Sequence, residues 1–385
     1  MSKLFWVKAS IRIRNLLLSV LEFLLYRKPG KDFKPKNICV YRIGNIGDFL
    51  CVIPALWAIR RQYPEAHITL LSSPGSRQAV SARTVLGNIG CIDELELYYA
   101  DEMSTFSKKK ELFKRLRAFH FDYLIQLPPV GIRFASQFRN LVFFRLLGIE
   151  YATGFYVSDS RLFLHAQLPW VRPNEVERCL QHLPFETEGA DFTYDLSEED
   201  RCVVNQKAVE QFGTADAPIM AVSVVGKMGH KAWPNENFAQ IVSQWIADKK
   251  GKVAFVGGND QLPRVEKIIG MLSEEERKSV RVMCGCFSIR QSIYFLEKCA
   301  LLLTIDTGTA HMAPLSNTPC IDLISGVGIP FQFHPYGQNV RVLRKNQACS
   351  PCILTACPYG DPGLCMQAIT PQEVWQKVDE LVAEI

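Results

Sequence analysis

The sequence predicts an α/β protein: two doubly wound parallel-sheet domains of comparable size that face a cleft, preceded by a basic amphipathic helix. Three observations lead there. Short apolar runs of strand length alternate with longer segments of helical spacing, the pattern of strand–helix–strand units in a parallel sheet. The alternation comes in two blocks, separated by a charged stretch around Leu196 to Ala217 that is poor in strand signals. The first 36 residues differ from both blocks in charge and in periodicity.

Length and composition agree. At roughly 100–200 residues per domain, a chain of 385 residues makes two domains. Apolar residues are 48% and charged residues 22% of the chain, which excludes a disordered polymer. The net charge is +5, but residues 1–36 hold nine basic and two acidic side chains, a net +7, so the remainder carries −2. A slightly acidic body excludes a protein-wide nucleic-acid surface. Nine of the thirteen cysteines (Cys39, Cys51, Cys91, Cys179, Cys202, Cys284, Cys286, Cys299, Cys320) are scattered, mostly within apolar runs. That usage suits buried thiols in a reducing compartment, so a cytoplasmic location is expected.

Residues 1–36 read as a helix and linker. Lys8, Arg12, Asn15, Ser19 and Glu22 recur at spacings of four and three, a narrow polar stripe on an otherwise apolar helix. The apolar runs fall short of the ~20 residues that a bilayer span needs. No small-residue cleavage site follows them, and Arg27-Lys28-Pro29-Gly30-Lys31 reads as a helix stop and basic linker. Such a helix can lie in a membrane interface with its cations drawn to anionic lipid, or pack on its own body or another chain. The width of the apolar face favours the membrane, with residues 1–28 as the contact.

The first domain is expected over 37–200. Ile38 to Tyr41 is a strand, Arg42 to Asp48 a glycine-containing turn, Phe49 to Tyr63 a helix and His67 to Leu71 a second strand. Lys108–Phe119 and Phe134–Leu147 have helical spacing around a strand at Tyr123–Gln126. The second domain, 217–369, repeats the style. Strands are expected at Ile219–Val225, Lys252–Val256, Leu301–Ile305 and Ile321–Ile324, and helices at Asn235–Lys249, Leu262–Leu272 and Ser288–Cys299. Residues 370–385 are expected to close the chain as a helix.

Four segments could carry chemistry. In Arg42-Ile43-Gly44-Asn45-Ile46-Gly47-Asp48, Gly44, Asn45 and Gly47 let a ligand approach backbone N–H groups at a helix start, and Asp48 is placed either to act in the cleft or merely to cap the helix. The spacing does not match a dinucleotide fingerprint, which disfavours a nicotinamide dehydrogenase. In Asp306-Thr307-Gly308-Thr309-Ala310-His311, hydroxyls, backbone amides and a helix start make an anion site at a strand end. Lys227 and Lys231, in the loop after the first strand of the second domain, could meet a phosphate, or could be a solvated basic loop. Cys349, Cys352, Cys357 and Cys365, gathered within residues 349–365, could form a structural metal site, a disulfide pair or a thiol-rich loop; no catalytic metal is expected.

Taken in order, these segments resemble glycosyltransferase family 9, the bacterial lipopolysaccharide heptosyltransferases. Val40 to Asp48 with Pro54-Ala55-Leu56 is similar to that family's opening R-x-S-x-x-G-D … P-A-L, with Gly44-Asn45 standing where a Ser-rich pair is usual. Lys231 to Phe238 is similar to its K-R-W-P-x-E-x-F, and Asp306 to Ala313 to its D-T-G-x-x-H-x-A. Asn174 to Arg178 resembles the helix entry near the end of its first domain. His334-Pro335-Tyr336-Gly337, Arg341-Val342-Leu343 and the cysteine segment resemble its C-terminal signature. The resemblance spans about 37–385.

The resemblance implies a GT-B fold of two Rossmann-like domains: an acceptor domain, then a donor domain. It implies inverting transfer, without a metal or other cofactor, from a nucleotide-diphospho-sugar, commonly ADP-heptose. The implied acceptor is a lipopolysaccharide core or related glycolipid at the inner face of the cytoplasmic membrane. It implies Asp48 as general base, with Lys231, Asp306, Thr307, Gly308, Thr309, His311 and Lys227 on the donor. A same-fold transferase with another donor or a capsule acceptor, and an inactive membrane-recruited scaffold, stand as alternatives.

Overall fold

The computed structural model describes residues 3–30, 32–157, 173–213, 217–225, 229–328, 331–352 and 354–383. It divides into two units, Met1–Asp195 and Leu196–Ile385, each built on its own parallel sheet.

In the first unit, β1 (Asn37–Tyr41), β2 (His67–Ser72), β3 (Glu94–Leu97), β4 (Tyr123–Gln126) and β5 (Tyr151–Thr153) stand in the order β3-β2-β1-β4-β5, all parallel. Central β1 is apolar almost throughout because a parallel sheet is covered on both faces. The helices are α2 (Ile46–Gln62), α3 (Ala82–Leu86), α4 (Phe106–Arg117), α5 (Phe134–Leu146) and α6 (Glu175–Gln181). Strand order reverses between β1 and β4, so the loop after β1 lies where such sheets bind ligands. In this unit two strands escaped the sequence pattern: β3 alternates Glu and Leu beside β2 at the sheet's edge, and β5 has three residues.

Helix α1 (Lys3–Leu25) belongs to this unit and is not a free-standing tail. Asn15 Nδ2 donates to the Val157 carbonyl at 3.0 Å, and Asn15 Oδ1 accepts from the Val157 N–H at 2.7 Å. Leu18 is fully buried, and Tyr26 stacks on Phe155 and donates to the Leu141 carbonyl. Arg27 pairs its backbone with the β5 edge and its guanidinium with Glu150. The polar stripe runs along the border of the docked side. Asn15 and Glu22 lean inward, while Lys8, Arg12 and Ser19 stay exposed.

The second unit has β6 (Ile219–Val222), β7 (Lys252–Phe255), β8 (Val280–Val282), β9 (Leu301–Ile305), β10 (Cys320–Ile324) and β11 (Val340–Arg344), ordered β11-β10-β9-β6-β7-β8 and all parallel. Its helices are α7 (Glu198–Phe212), α8 (Asn235–Lys249), α9 (Leu262–Gly270), α10 (Glu274–Arg277), α11 (Ile289–Leu296), α12 (Ala313–Ser316), α13 (Leu364–Gln367) and α14 (Pro371–Ala383). Trp233, Phe238, Trp245 and Phe255 fill the core, and α14 adds Val374, Val378 and Leu381. Order reverses between β6 and β9, which brings the loops after these strands to one ligand-binding position.

The stretch read as a junction is in fact α7, capped by the Ser197 hydroxyl and packed on α11 within the second unit. Only Val204 and Phe212 of α7 are buried, too few to raise a periodic signal. The division falls at 195/196, at the start of the stretch from Leu196 to Ala217 that separates the two blocks.

Burial raises the Glu22 carboxyl to about 7, against the pull of Lys28 and of a hydrogen bond from the Phe155 backbone. The docked helix thus favours the protonated acid. Docking is strongest below the ordinary carboxylate range and weakens as pH rises through about 7. Amide exchange along α1, corrected for intrinsic rate, should lose protection between about pH 5 and pH 8. Glu22→Gln should flatten that dependence; a flat wild-type profile contradicts the assignment.

Candidate active site

In the first unit the site is built around Arg42, which directly follows β1 and is fully buried. Its Nη1 donates to the carbonyls of Leu127 and Pro128 at 3.3 and 3.2 Å, in the loop after β4. Its Nη2 donates to Asp48 Oδ1 at 3.1 Å and to Glu175 Oε1 at 2.9 Å. Glu175, also fully buried, is held by Arg178 through Nε at 2.7 Å and Nη2 at 2.6 Å. Arg178 reaches back to the Pro128 carbonyl at 2.8 Å and to the Tyr156 hydroxyl. Burial alone would raise the Glu175 carboxyl, but hydrogen bonds and charge from Arg178 and Arg42 outweigh it and hold it below its ordinary value. Two guanidinium groups thus meet two carboxylates, and the buried cluster is neutral.

Asp48 stands at the rim of this cluster, its side chain 18% exposed. It is the third residue of α2, and its Oδ2 accepts the Asn45 N–H at 2.8 Å. Helix capping and the Arg42 pair therefore operate together, one on each oxygen. Gly44 has a steric role: a Cβ there would fall 2.2 Å from the Asp48 Cβ. Gly47, in the first turn of α2, adds no side chain beside Asp48.

In the second unit, Lys231 closes a short turn, Gly229–Lys231, after β6, and its Nζ lies 2.7 Å from Asp306 Oδ2 at the end of β9. The partners are 17% and 24% exposed, so solvent and ligand can reach them. Thr307 Oγ1 accepts the Thr309 N–H at 3.3 Å, and the Thr309 and Ser223 hydroxyls are 3.4 Å apart. Gly308 lies between these two threonines, and His311 is buried in the following turn. The segment does not open a long helix. A single 3-10 turn, Ala310–Met312, leads into four-residue α12, which carries Pro314 at its start and ends at left-handed Asn317. Anion binding here must come from hydroxyls, N–H groups and Lys231, with little helix dipole. Lys227 lies outside the described residues.

Several residues hold this site and were not singled out from sequence. Gln261 Oε1 accepts the N–H groups of Val224 and Val225 at 2.9 and 3.3 Å, tying the loop after β7 to the loop after β6. Arg264 donates to the Val224 and Trp233 carbonyls, and Trp233 Nε1 to the Ile369 carbonyl. Asp322, on β10, is fully buried with neither carboxylate oxygen hydrogen-bonded. Burial and then the Asp306 charge push its carboxyl well up, against Lys231. His334 Nε2 accepts the Phe331 N–H at 3.1 Å, and burial beside Arg344 lowers it to about 4, which keeps the ring neutral.

The cysteine segment braces loops. All four thiols are free, and among the described residues no group of three or more His, Cys, Asp or Glu side chains is placed to hold a metal ion. Cys349, Cys352, Cys357 and Cys365 nevertheless lie near enough for the other three thiols to act on Cys349 electrostatically. The Cys352 N–H donates to the Gly326 carbonyl, and Cys365 Sγ accepts the Gly326 N–H. The Gly363 N–H donates to the His230 carbonyl at 3.0 Å, next to Lys231. These bonds fasten the segment to the loops that follow β6 and β10.

Sequence reasoning reached Asp48, Lys231 and Asp306, and missed Glu175 and Arg178 as Asp48's support. Their i, i+3 spacing on α6 was the available signal.

The comparisons agree with this geometry. The profile of glycosyltransferase family 9 (heptosyltransferase) matches residues 110–361. The lipopolysaccharide core heptosyltransferase OpsX of Haemophilus influenzae is 21% identical over 301 residues, 75% of this chain and 79% of that protein. The E. coli ADP-heptose lipopolysaccharide heptosyltransferase II structure superposes with a TM-score of 0.65 at 18% identity, over 91% of this chain and 99% of that one. A family 9 glycosyl transferase from Veillonella parvula gives 0.70 at 19% identity, over 92% and 100%. With most of its length matched by the profile, and two doubly wound sheets carrying the motifs at their switch points, this chain belongs to glycosyltransferase family 9, the heptosyltransferase family.

Proposed function

We propose that the chain is an inverting, metal-independent transferase that moves a heptose from ADP-heptose to a lipopolysaccharide core or related glycolipid acceptor, working at the cytoplasmic face of the membrane. The observation that carries the reading is Asp48, a half-buried carboxylate at the switch point of the first sheet, oriented on both oxygens by Arg42 and Asn45. The donor assignment is supported by a family likeness to E. coli heptosyltransferase WaaC, solved with ADP and with ADP-2-deoxy-2-fluoro heptose.

Asp48 takes the proton from an acceptor hydroxyl as its oxygen attacks the anomeric carbon. One base suffices for inversion. The bond from the anomeric carbon to the diphosphate breaks, and the leaving group departs as an anion that needs countercharge more than a proton. Lys231, the hydroxyls of Thr307 and Thr309 and the N–H groups near Gly308 supply it. Asp306 holds Lys231 in place in the meantime, so the ammonium is oriented before the donor arrives. The turn at Gly257–Asp260 is assigned to the nucleoside, since it lies beside the loop after β6 through Gln261.

The direct test incubates the purified chain with ADP-heptose and a heptose-deficient core glycolipid, and reads the product by mass and by anomeric configuration. Gain of one heptose with inversion is expected. Transfer only from another nucleotide-sugar would reassign the donor, and failure of every nucleotide-sugar to react or to raise the melting temperature would favour a scaffold.

Four variants test the residue roles. Asp48→Ala should fold and lose turnover by roughly 10²–10⁴-fold, the scale of a general base; near-normal kcat would remove it from that role. Lys231→Ala should weaken donor binding on the order of ten- to a hundred-fold, as loss of a charge-assisted contact does, and a change confined to acceptor KM would contradict the assignment. Arg42→Gln should lower stability by about 3 kcal/mol or more, because it strips a cation from a buried carboxylate. Arg42→Lys keeps the charge but not the fork, so kcat should fall with little change in donor KM; unchanged kcat would mean that Asp48 needs no such support.

A further inference from the structure

We propose that the outward side of α1 is a docking surface for an anionic bilayer interface, on which the helix lies flat. The proposal stands apart from the catalytic reading. Among the described residues α1 is bound to its own unit along the side that carries Asn15, Leu18, Leu21 and Leu25, with Tyr26 just beyond. The opposite side presents Trp6, Ile13, Leu16, Leu17, Phe23 and Leu24, each between 49% and 70% exposed. The helix therefore has two apolar sides, and packing on the body has used the narrower. A contiguous exposed apolar surface of this kind marks an interaction face.

Charge selects the occupant. α1 holds four basic residues and a single acid, Glu22, which leans inward. The exposed Lys8 and Arg12 sit on the rim, where long side chains can reach headgroups while the apolar residues go deeper. Neighbouring α5 exposes Phe138 and Leu146 together with Arg139 and Arg145, and has no acidic residue. A second copy of this face would bring cations against cations. A sheet of lipid phosphates supplies the missing anions. The helix is about 35 Å long at 1.5 Å per residue, and no described helix is long and apolar enough to cross a membrane, so the contact is a surface one.

The test is co-sedimentation of the full chain with vesicles of phosphatidylcholine alone or with about 30% phosphatidylglycerol, at low and high salt. Binding to the anionic vesicles should be at least about tenfold tighter and should weaken with salt. Leu16→Glu with Phe23→Glu changes only exposed positions. It should leave the melting temperature unchanged and reduce binding about tenfold or more. Lys8→Gln with Arg12→Gln should lose most of the preference for anionic lipid. The proposal fails if the wild type binds neither vesicle, or if the Glu pair binds as the wild type does. It also fails if sedimentation equilibrium without lipid shows a dimer that the Glu pair converts to monomer, which would give the face to a second copy.

Discussion

The first unit depends on one buried guanidinium. Arg42 is fully enclosed at the end of the central strand, and an enclosed cation without partners would cost several kcal/mol. Its partners come from three places in the chain: the loop after β4, the start of α2 and the start of α6. Satisfying Arg42 therefore fixes the spacing of β1 and β4 at the switch point, seats α6 against α2 and aims Asp48. Glu175 is itself buried, and Arg178 and Arg42 together hold its carboxyl below the ordinary value against that burial. Asp48 is the member of the cluster that reaches solvent. A buried ion network thus ends in the carboxylate proposed as the general base, and the rigidity of the former sets the position of the latter.

The second unit is arranged differently. Its reactive pair, Lys231 and Asp306, is partly exposed and held by loops rather than by a buried network. Those loops are fastened from behind. Gln261 and Arg264 secure the segment after β6, Trp233 is pinned to residue 369, and the cysteine segment closes on His230 and Gly326. Beneath them Asp322 is a carboxyl without hydrogen bonds that burial pushes well up, while the carboxylate paired with Lys231 is that of Asp306. An ammonium poised against one carboxylate can exchange it for phosphate oxygens at small cost, which suits a site that must release its product.

Much of this was legible in the residues. The parallel-sheet pattern followed from apolar runs such as Ile38–Tyr41 and Leu301–Ile305, which only a doubly covered sheet can bury, and the ordered motifs located Asp48, Lys231 and Asp306. Elements without a periodic signal were not legible. Strand β3 writes Glu-Leu-Glu-Leu at an edge, and α7 buries two side chains and looks like a linker. The four cysteines are close in sequence, yet their segment is shaped by backbone hydrogen bonds to distant loops, and no spacing rule reports that.

The sequence by itself determined the fold class, the charge imbalance of the first 36 residues and the identity of the groups able to do chemistry, because these depend on local composition and period. Only the tertiary structure decided that Arg42 meets Glu175 across 133 positions, that Lys231 meets Asp306 across 75, and which side of α1 is covered. Those outcomes depend on which distant groups satisfy one another once water is excluded. The polar stripe on α1 said that the helix had a polar side; it took the Asn15 contact with Val157 to show that the stripe marks the edge of a docked surface and leaves a second apolar side uncovered.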